Sequence, residues 1–370
     1  MRVLILSCNT GEGHNSAGLA LVEAFRSADI ACDMKNSLEL LPQSVSRLIS
    51  GGHVFIYRHC PRLFGWGYRY EEKHTPKFLM EECARGADGL WKVIREGGYD
   101  IVICVHIFPA LTLTAILKKY KPSIATYFVA TDYTCSPGVG ESKLDAYFIP
   151  HVTLADEFVS CGVPRERLIA TGIPVRAVFE RKRPRSEVCR ELGLPADKQI
   201  VLLTCGSMGC GPIRDLTAEL KEKMPSDSML VVICGRNTHL FRRLSAQTEP
   251  GRVKVIGYTR RMSDYMDAAD VFLTKAGGLS TTEAIIKRLP LIYIDAVPGC
   301  EKRNLDFGTK HGVALTAKGV KGLTGVTCRC LQDSAYRQSI SETMRQMFPK
   351  ENAARLCRYV IDAEQVRRSE

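Results

Sequence analysis

The sequence predicts an α/β protein of two domains, each built on a doubly wound parallel sheet. Short apolar runs rich in β-branched residues recur along the chain, and such runs are typical of strands buried on both faces of a sheet. Segments with a helical spacing of apolar residues separate these runs, as the crossover connections of parallel strands require. At 370 residues, the chain is also longer than one hydrophobic core usually supports, which favours two domains.

Five strands are predicted in the first half of the chain. The first, at 2–8, leads into a helix at 16–27 whose apolar residues share one face, with Asn15 or Ser16 as its cap. The other four apolar runs lie at 30–36, 99–105, 124–130 and 146–149. Further helical patterns lie at 75–96 and 109–120. This alternation predicts a parallel sheet with helices on its faces.

A second series of strands begins at residue 199. Its apolar runs lie near 200–205, 229–234, 253–257, 270–274 and 290–295. Before this series, several prolines and a basic run at 181–185 predict a linker. We therefore divide the chain into a first domain at 1–171, a linker at 172–198, a second domain at 199–345 and a C-terminal helical tail at 346–370. A ligand is expected in the cleft between the domains, because ligands of such sheets bind beyond the carboxyl ends of the strands.

The composition is that of an ordinary soluble globular protein, with 45% hydrophobic and 25% charged residues. The sequence has no apolar run long enough to cross a bilayer and no signal peptide, so we expect a cytoplasmic protein. The 15 cysteines are an odd number and include no C-x-x-C pair. This pattern predicts reduced core residues rather than disulfides or a metal site.

The net charge of +11 lies entirely in the second half, because residues 1–170 hold equal numbers of basic and acidic residues. No zinc-finger, helix-turn-helix or RNP pattern accompanies this charge, so nucleic acid is not the expected partner. A phosphorylated substrate and an acidic membrane surface are the two anions that fit it.

A glycine-rich turn follows the first strand, in the stretch CNTGEGHNSA that starts at Cys8. Gly11 and Gly13 allow other atoms to approach closely, and the helix that follows presents unpaired backbone N–H groups. The turn lacks both the G-K-[ST] sequence and the third glycine of the dinucleotide pattern. It therefore predicts a ligand site without naming the ligand, or glycines that serve the turn geometry alone.

Two more glycine-rich turns follow strands of the second half, CGSMGCG and TKAGGLSTTEA. In the longer one, Gly277 and Gly278 open a helix whose first turn carries hydroxyl groups, and Glu283 follows. Helix N–H groups and hydroxyls suit a diphosphate, and a carboxylate suits the hydroxyls of a ribose. In the alternative interpretation, Ser280 or Thr281 caps the helix and Glu283 completes a capping box.

Five motifs in a fixed order carry a resemblance to a known family. They are G-x-G-H at 11–14, T-D-Y at 131–133, T-G-I-P-V at 171–175, T-K-x-G-G-x-S-x-x-E-A at 274–284 and P-G-x-E-x-x-N at 298–304. Together they resemble the processive diacylglycerol glycosyltransferases and monogalactosyldiacylglycerol synthases, which are similar to the enzyme that adds N-acetylglucosamine to lipid I in peptidoglycan synthesis. The match covers roughly residues 1–345. It implies the GT-B fold, two facing Rossmann-like domains, and inverting transfer of a hexose from a UDP-sugar to a lipid hydroxyl.

The resemblance also implies a donor site in the second domain. Gly206 and Ser207 would approach the diphosphate, and Gly257 and Tyr258 would face the uracil. The UDP-sugar-binding residues are completed by Lys275, Gly277, Gly278, Ser280, Thr281, Glu283, Glu301 and Asn304. No D-x-D motif occurs, so a metal cofactor is not expected and the UDP-sugar is a substrate. Many relatives have P-G-Q-E where this chain has Cys300 before Glu301, which leaves the identity of the hexose open.

Two residues of the first domain are the candidate catalytic bases. In this family the G-x-G-H turn faces the cleft, so His14 would stand where the acceptor hydroxyl meets the anomeric carbon of the donor. An inverting transfer needs a base to take the acceptor proton, and histidine suits this task near neutral pH. Asp132, which follows the strand at 124–130, is the competing base. We expect the two to share the role, with Asp132 slightly favoured as the base.

The segment from Leu40 to Tyr70 contains no acidic residue and interleaves arginines with aromatic residues. Such a pattern suits the headgroup layer of an anionic bilayer. The acceptor and membrane residues assigned here are Gly11, Gly13, Arg58, Arg62, Phe64, Trp66 and Tyr68. An aromatic-rich core region with exposed arginines is the other interpretation.

The sequence thus predicts a cytoplasmic glycosyltransferase that is peripheral on the inner face of the cell membrane. Its expected partners are a UDP-hexose, diacylglycerol or a glycosyl-diacylglycerol, and the anionic membrane surface. The alternatives are transfer of N-acetylglucosamine to a polyprenyl-linked lipid, a UDP-sugar epimerase or hydrolase on the same fold, and a binding protein without activity.

Overall fold

The computed structural model describes residues 1–8, 12–40, 77–204, 206 and 211–369. These residues divide into two compact units. Unit 1 comprises Met1–Ala177, Val297–Arg303 and Glu351–Glu370, and unit 2 comprises Val178–Ala296 and Asn304–Lys350. Two six-stranded sheets, in which every strand pairing is parallel, confirm the predicted fold class.

The sheet of unit 1 has the strand order β2-β1-β3-β4-β5-β6. Its strands are β1 (Arg2–Ser7), β2 (Ala31–Asn36), β3 (Ile101–Cys104), β4 (Ala125–Val129), β5 (Ala146–Ile149) and β6 (Leu168–Ala170). Its longer helices are α1 (Glu12–Ser27), α2 (Lys77–Arg85), α3 (Ala87–Glu96), α4 (Ile107–Tyr120) and α5 (Ala155–Ser160). Because the chain runs from β1 outward to β2 and then returns to β3, the order reverses between β1 and β3. Ligands of doubly wound sheets bind at such a reversal.

The sheet of unit 2 has the order β12-β11-β10-β7-β8-β9, so its reversal lies between β7 and β10. The strands are β7 (Gln199–Thr204), β8 (Ser228–Ile233), β9 (Val253–Ile256), β10 (Val271–Lys275), β11 (Leu291–Asp295) and β12 (Ala314–Thr316). The helices from the end of unit 1 to β10 are α6 (Ala177–Glu180), α7 (Arg185–Leu192), α8 (Ile213–Lys223), α9 (Thr238–Ser245) and α10 (Met262–Ala268). The later helices are α11 (Gly278–Lys287), α12 (Cys300–Lys310), α13 (Gly319–Gln332), α14 (Ser334–Met347) and α15 (Asn352–Ser369).

The structure differs from the sequence-based elements in four places. Helix α1 begins at Glu12 instead of residue 16, and the helix predicted at 75–96 is two helices that meet at Gly86. The two strands that sequence reasoning missed, β6 and β12, are three residues long and only partly buried. A run of three residues is too short to show the strand periodicity.

The predicted linker and tail both contain helices that pack on a unit. Helix α7 lies within the predicted linker, and its Val188 and Cys189 are fully buried in unit 2. Helix α15 lies within the predicted tail, and its Leu356 and Val360 are fully buried in the core of unit 1. The chain therefore returns to the first unit at its end, because burial of this apolar face stabilises the helix there.

No described helix combines the length and the apolar character needed to cross a membrane.

Candidate active site

The first cluster of candidate residues lies where β1, β3 and β4 end, at the reversal of the unit 1 sheet. The Ser7 hydroxyl at the end of β1 donates to Asn15 Oδ1 at 2.7 Å, which ties the strand to α1. Because α1 begins at Glu12, Gly13 and His14 lie in its first helical turn and not in the preceding turn. A carboxylate in the first turn is favoured by the helix dipole, which offsets the low helix propensity of Gly13.

His14 is held by two contacts to one ring nitrogen. Its Nδ1 lies 3.0 Å from the carbonyl oxygen of Val105, just after β3, and 2.9 Å from the hydroxyl oxygen of Thr131, just after β4. A carbonyl oxygen can only accept, so Nδ1 carries the proton and donates to both oxygens. In the neutral ring, Nε2 then holds the lone pair, which is the tautomer that a general base needs.

His106 is a functional candidate that sequence reasoning missed. Its ring centroid lies 4.6 Å from that of His14, and the two rings meet edge to face at 78°. His106 also caps α4, because its Nδ1 accepts from the backbone N–H of Phe108 at 3.2 Å. Its Nδ1 is therefore unprotonated, and Nε2 carries the proton in the neutral ring. The available signal was its place directly after a buried strand, the same position that drew attention to Asp132.

Asp132 is half-buried and follows Thr131 in the loop after β4. Glu157 on α5 fastens this loop, since its carboxylate accepts from the backbone N–H of Cys135 at 2.8 Å and from the hydroxyl of Thr134. The contact between Thr131 and His14 thus connects the loop that bears Asp132 to the candidate base. Direct participation of Asp132 in proton transfer stays a prediction.

The second cluster lies at the reversal of the unit 2 sheet, between the ends of β7 and β10. Gly206 has a φ of +66°, which favours glycine, and a Cβ atom placed there would lie 3.1 Å from Cε of Lys275. A Cβ atom at Gly277 would lie 3.9 Å from the same atom. These two glycines therefore give the Lys275 side chain the space to extend across the turn, where its ammonium group can bind an anion.

Helix α11 begins at Gly278, and its N-cap residue, Gly277, makes no side-chain capping bond. Thr281 is fully buried and its hydroxyl lies 3.0 Å from the Tyr293 hydroxyl, so it fastens α11 to β11. Burial raises the pKa of Tyr293, which keeps this hydroxyl neutral. Ser280 and Glu283 are half-buried in the first two turns of the helix. The cap is thus a glycine, whose side chain does not occupy the backbone N–H groups that an anion can bind at a helix N-terminus.

Two more predicted donor residues form contacts that shape the neighbouring turns. Asn304 is fully buried, and its amide donates to the carbonyl oxygen of Ala276 at 2.9 Å. The Glu301 carboxylate accepts from the backbone N–H of Val297 at 3.0 Å. For both residues these contacts support loop geometry, and direct contact with a sugar or ribose stays a prediction.

Gly257 and Tyr258 follow β9, and the Tyr258 ring is 51% exposed. The Arg236 guanidinium lies 5.3 Å from the centroid of this ring. Several predicted residues fall outside the described part of the chain, namely Gly11, Ser207, Arg58, Arg62, Phe64, Trp66 and Tyr68. Within the described part, no three His, Cys, Asp or Glu side chains are grouped so that they could hold a metal ion.

Two family models match this chain, one on each unit. The monogalactosyldiacylglycerol (MGDG) synthase model matches residues 14–175, and the glycosyltransferase family 28 C-terminal domain matches residues 200–299. A processive diacylglycerol beta-glucosyltransferase of Bacillus pumilus is 25% identical over 369 residues, which cover 98% of this chain and 94% of the relative.

Solved structures resemble the fold at lower sequence identity. The Acinetobacter baumannii MurG structure has a TM-score of 0.62 at 12% identity and covers 98% of this chain and 99% of its own. The UDP-GlcNAc 2-epimerase from Neisseria meningitidis bound to UDP-GlcNAc has a TM-score of 0.65 at 12% identity, with the same coverage of 98% and 99%. These likenesses concern the fold alone. The family models and the named relatives show instead that the chain is similar to the monogalactosyldiacylglycerol synthases and to the processive diacylglycerol glucosyltransferases, with a glycosyltransferase domain matched on each unit.

Proposed function

We propose that this chain transfers a hexose from a UDP-sugar to the hydroxyl of diacylglycerol, or of a glycosyl-diacylglycerol, with inversion at the anomeric carbon. The observation that carries the proposed base catalysis is the pair of contacts that Nδ1 of His14 makes with the Val105 carbonyl and the Thr131 hydroxyl, at 3.0 and 2.9 Å. The lipid acceptor is supported by the family model on unit 1 and by the names of the Bacillus relatives. Those names also make glucose the first hexose to test.

In the proposed reaction, Nε2 of His14 accepts the proton of the acceptor hydroxyl as its oxygen bonds to the anomeric carbon. The bond from that carbon to the UDP oxygen breaks in the same step, so UDP leaves with the electron pair. The resulting imidazolium is stabilised by the Val105 carbonyl and the Thr131 hydroxyl oxygen, to which Nδ1–H already donates. Asp132, which the sequence slightly favours, is the rival base, and in the reaction proposed here it stabilises the charge on His14.

The leaving diphosphate gains negative charge, which we propose is neutralised without a metal cofactor. The uncapped N-terminus of α11 offers backbone N–H groups, and Lys275 extends past Gly206 toward the same turn. Turnover should therefore persist in EDTA. A loss of activity that Mg²⁺ or Mn²⁺ restores would show that a cation takes part.

We further propose that the enzyme is peripheral on the cytoplasmic face of the membrane. The support comes from the sequence between residues 40 and 70, where arginines alternate with aromatic residues and no acidic residue occurs. Charge reversal at Arg58 and Arg62 should weaken binding to anionic vesicles, and unaltered co-sedimentation would refute this role.

The experiment that tests the function offers the protein UDP-glucose, UDP-galactose and UDP-N-acetylglucosamine separately. Each donor is supplied with anionic vesicles that contain or lack diacylglycerol, and both UDP release and lipid mass are followed. A diacylglycerol-dependent mass gain of one or more hexoses supports the proposal and names the donor. UDP release without a lipid product would point to hydrolysis or epimerisation, and a product formed only on polyprenyl-linked lipid would establish the rival acceptor.

The ribose assignment has its own test. Removing the Glu283 carboxylate should raise the KM for the UDP-sugar by about 10- to 150-fold, because a hydrogen bond to a charged group contributes about 1.5–3 kcal/mol. The matched control is Glu222→Ala, which removes a carboxylate on α8 that is exposed and paired with Lys223. If Glu283→Ala behaves like the control, Glu283 does not bind the ribose.

A further inference from the structure

The surplus of positive charge in the second half of the chain is not explained by the donor site alone. One concentration of this charge lies at the β9 edge of the unit 2 sheet, on α9 and on the turns that follow β8 and β9. We name it the α9 surface, and it consists of Arg236, Phe241, Arg242, Arg243 and Tyr258.

Helix α9 is fixed on the protein by one end and one narrow face. Its N-cap, Asn237, accepts from the backbone N–H of Leu240 at 2.9 Å. Leu244 is fully buried, and Leu240 packs against the same core cluster. The remaining face carries polar and basic residues together with one phenylalanine. A short helix anchored in this way holds its outer residues in place without covering them.

Two large aromatic side chains are exposed along this edge. Phe241 is 36% exposed and Tyr258 is 51% exposed. A Cβ atom placed at Gly257 would lie 3.9 Å from the Phe241 ring, so Phe241 rests against the turn that carries Tyr258. Arg236 lies over the Tyr258 ring with its guanidinium 5.3 Å from the centroid. Aromatic rings with flanking cations are typical of residues that sit at a lipid headgroup layer.

The local charge is of one sign. The sequence contains no acidic residue from Gly235 to Thr248, and none from Pro250 to Ser263. Neighbouring cations are paired, since Lys221 contacts Glu249 at 2.8 Å. Arg242 and Arg243, by contrast, are exposed and form no ion pair with any residue that the structure describes. These two exposed arginines are complementary to a surface of negative charge.

We propose that the α9 surface binds the headgroups of an anionic bilayer, as a membrane contact of unit 2 that is separate from the basic and aromatic segment of the first half. The proposal rests on the proposed function, because an acceptor such as diacylglycerol does not leave the bilayer. Phe241 enters the headgroup layer, and Arg242 and Arg243 pair with lipid phosphates.

The test measures partition of the full chain onto vesicles of phosphatidylglycerol and phosphatidylcholine in equal parts, without donor or acceptor. Arg242→Glu with Arg243→Glu should lower the partition coefficient about tenfold or more, since each cation near an anionic surface contributes about 1 kcal/mol. The matched control is Lys318→Glu with Lys321→Glu, which makes the same change of net charge on exposed residues at the start of α13, beyond the β12 edge of the same sheet. Phe241→Ser should weaken partition without any change of charge.

Each outcome of the vesicle measurement either supports the proposal or overturns it. Weaker partition in the α9 variants, with the control near wild type and UDP affinity unchanged, supports it. An equal loss in the control would show that net charge alone is responsible, and unchanged partition in the α9 variants would refute the surface. Loss of UDP affinity, or retention on single-stranded RNA in place of vesicles, would assign the surface to the nucleotide or to nucleic acid and also overturn the proposal. The vesicle measurement needs no turnover, so failure of the proposed function would appear separately, as a wild-type protein that makes no glycolipid.

Discussion

The Thr131 hydroxyl offers a graded test of how the candidate base is held. Thr131→Val keeps the shape of the side chain and removes one of the two oxygens that contact Nδ1 of His14, at 2.9 Å. The contact to the Val105 carbonyl at 3.0 Å remains, so the ring keeps its tautomer. We therefore expect turnover to fall only moderately, whereas His14→Ala removes the base altogether.

The two expected effects differ in size for a physical reason. One hydrogen bond contributes about 0.5–1.5 kcal/mol, which corresponds to a kcat lower by about 2- to 12-fold in Thr131→Val. General base catalysis contributes about 10²- to 10⁴-fold, which is the loss expected for His14→Ala. The Thr131 oxygen also stabilises the protonated ring, so its removal makes the ring harder to protonate. The acidic limb of the pH profile of kcat should therefore move to lower pH.

The assay follows UDP release and glycolipid formation with diacylglycerol vesicles over a range of pH. The control is Thr114→Val, which removes a hydroxyl that bonds the Ala110 carbonyl within α4 at 2.8 Å. The KM for the UDP-sugar should stay unchanged in all three variants. Near-full turnover in His14→Ala would refute the assignment of the base, and equal losses in Thr131→Val and His14→Ala would refute the proposed tautomer argument.

Three further predictions concern other parts of the chain. Gly206→Ala should raise the KM for the UDP-sugar, because its Cβ atom would displace the side chain of Lys275. A φ of +66° also costs a residue with a Cβ atom about 1 kcal/mol. An unchanged KM would contradict the placement of the diphosphate. Lys287→Met should lower the free energy of unfolding in urea by about 3–5 kcal/mol, because it removes the ammonium group that lies 2.8 Å from the buried Asp267 carboxylate. A loss below about 1 kcal/mol, which is typical of an exposed ion pair, would refute this role of the buried pair. The neighbouring Cys135 lowers the pKa of the Cys161 thiol to about 7, so the alkylation rate of Cys161 should rise through neutral pH. Cys135→Ala should move that midpoint upward, and an unmoved midpoint would exclude this effect of Cys135.

Two controls sharpen these predictions. Gly193→Ala introduces a Cβ atom at a φ of +59° after α7, so it should cost similar stability and leave the KM unchanged. Lys287→Met combined with Asp267→Leu removes both buried charges and should recover part of the lost stability.

Local pattern in the sequence was sufficient for the fold class and for most strands. Parallel strands covered on both faces are continuous apolar runs, and the predicted runs at 124–130 and 290–295 match β4 and β11 to within a residue at either end. The glycine-rich turns after β1, β7 and β10 were also visible, because glycine and hydroxyl residues follow apolar runs at these three places. The order of the motifs then indicated the resemblance that the two family models confirm.

Only the tertiary structure decided which side chains act on which. His14 contacts Val105, which lies 91 positions further along the chain, and Thr131, which lies 117 positions further along. No spacing rule predicts either contact. The same holds for His106, and for Asn304, which reaches Ala276 across 28 positions. Helix α15 belongs to unit 1 because its apolar face completes that core, although the chain has passed through unit 2 before it. Sequence periodicity records which face of an element is buried, whereas the partner that buries it is set by packing between elements far apart in the chain.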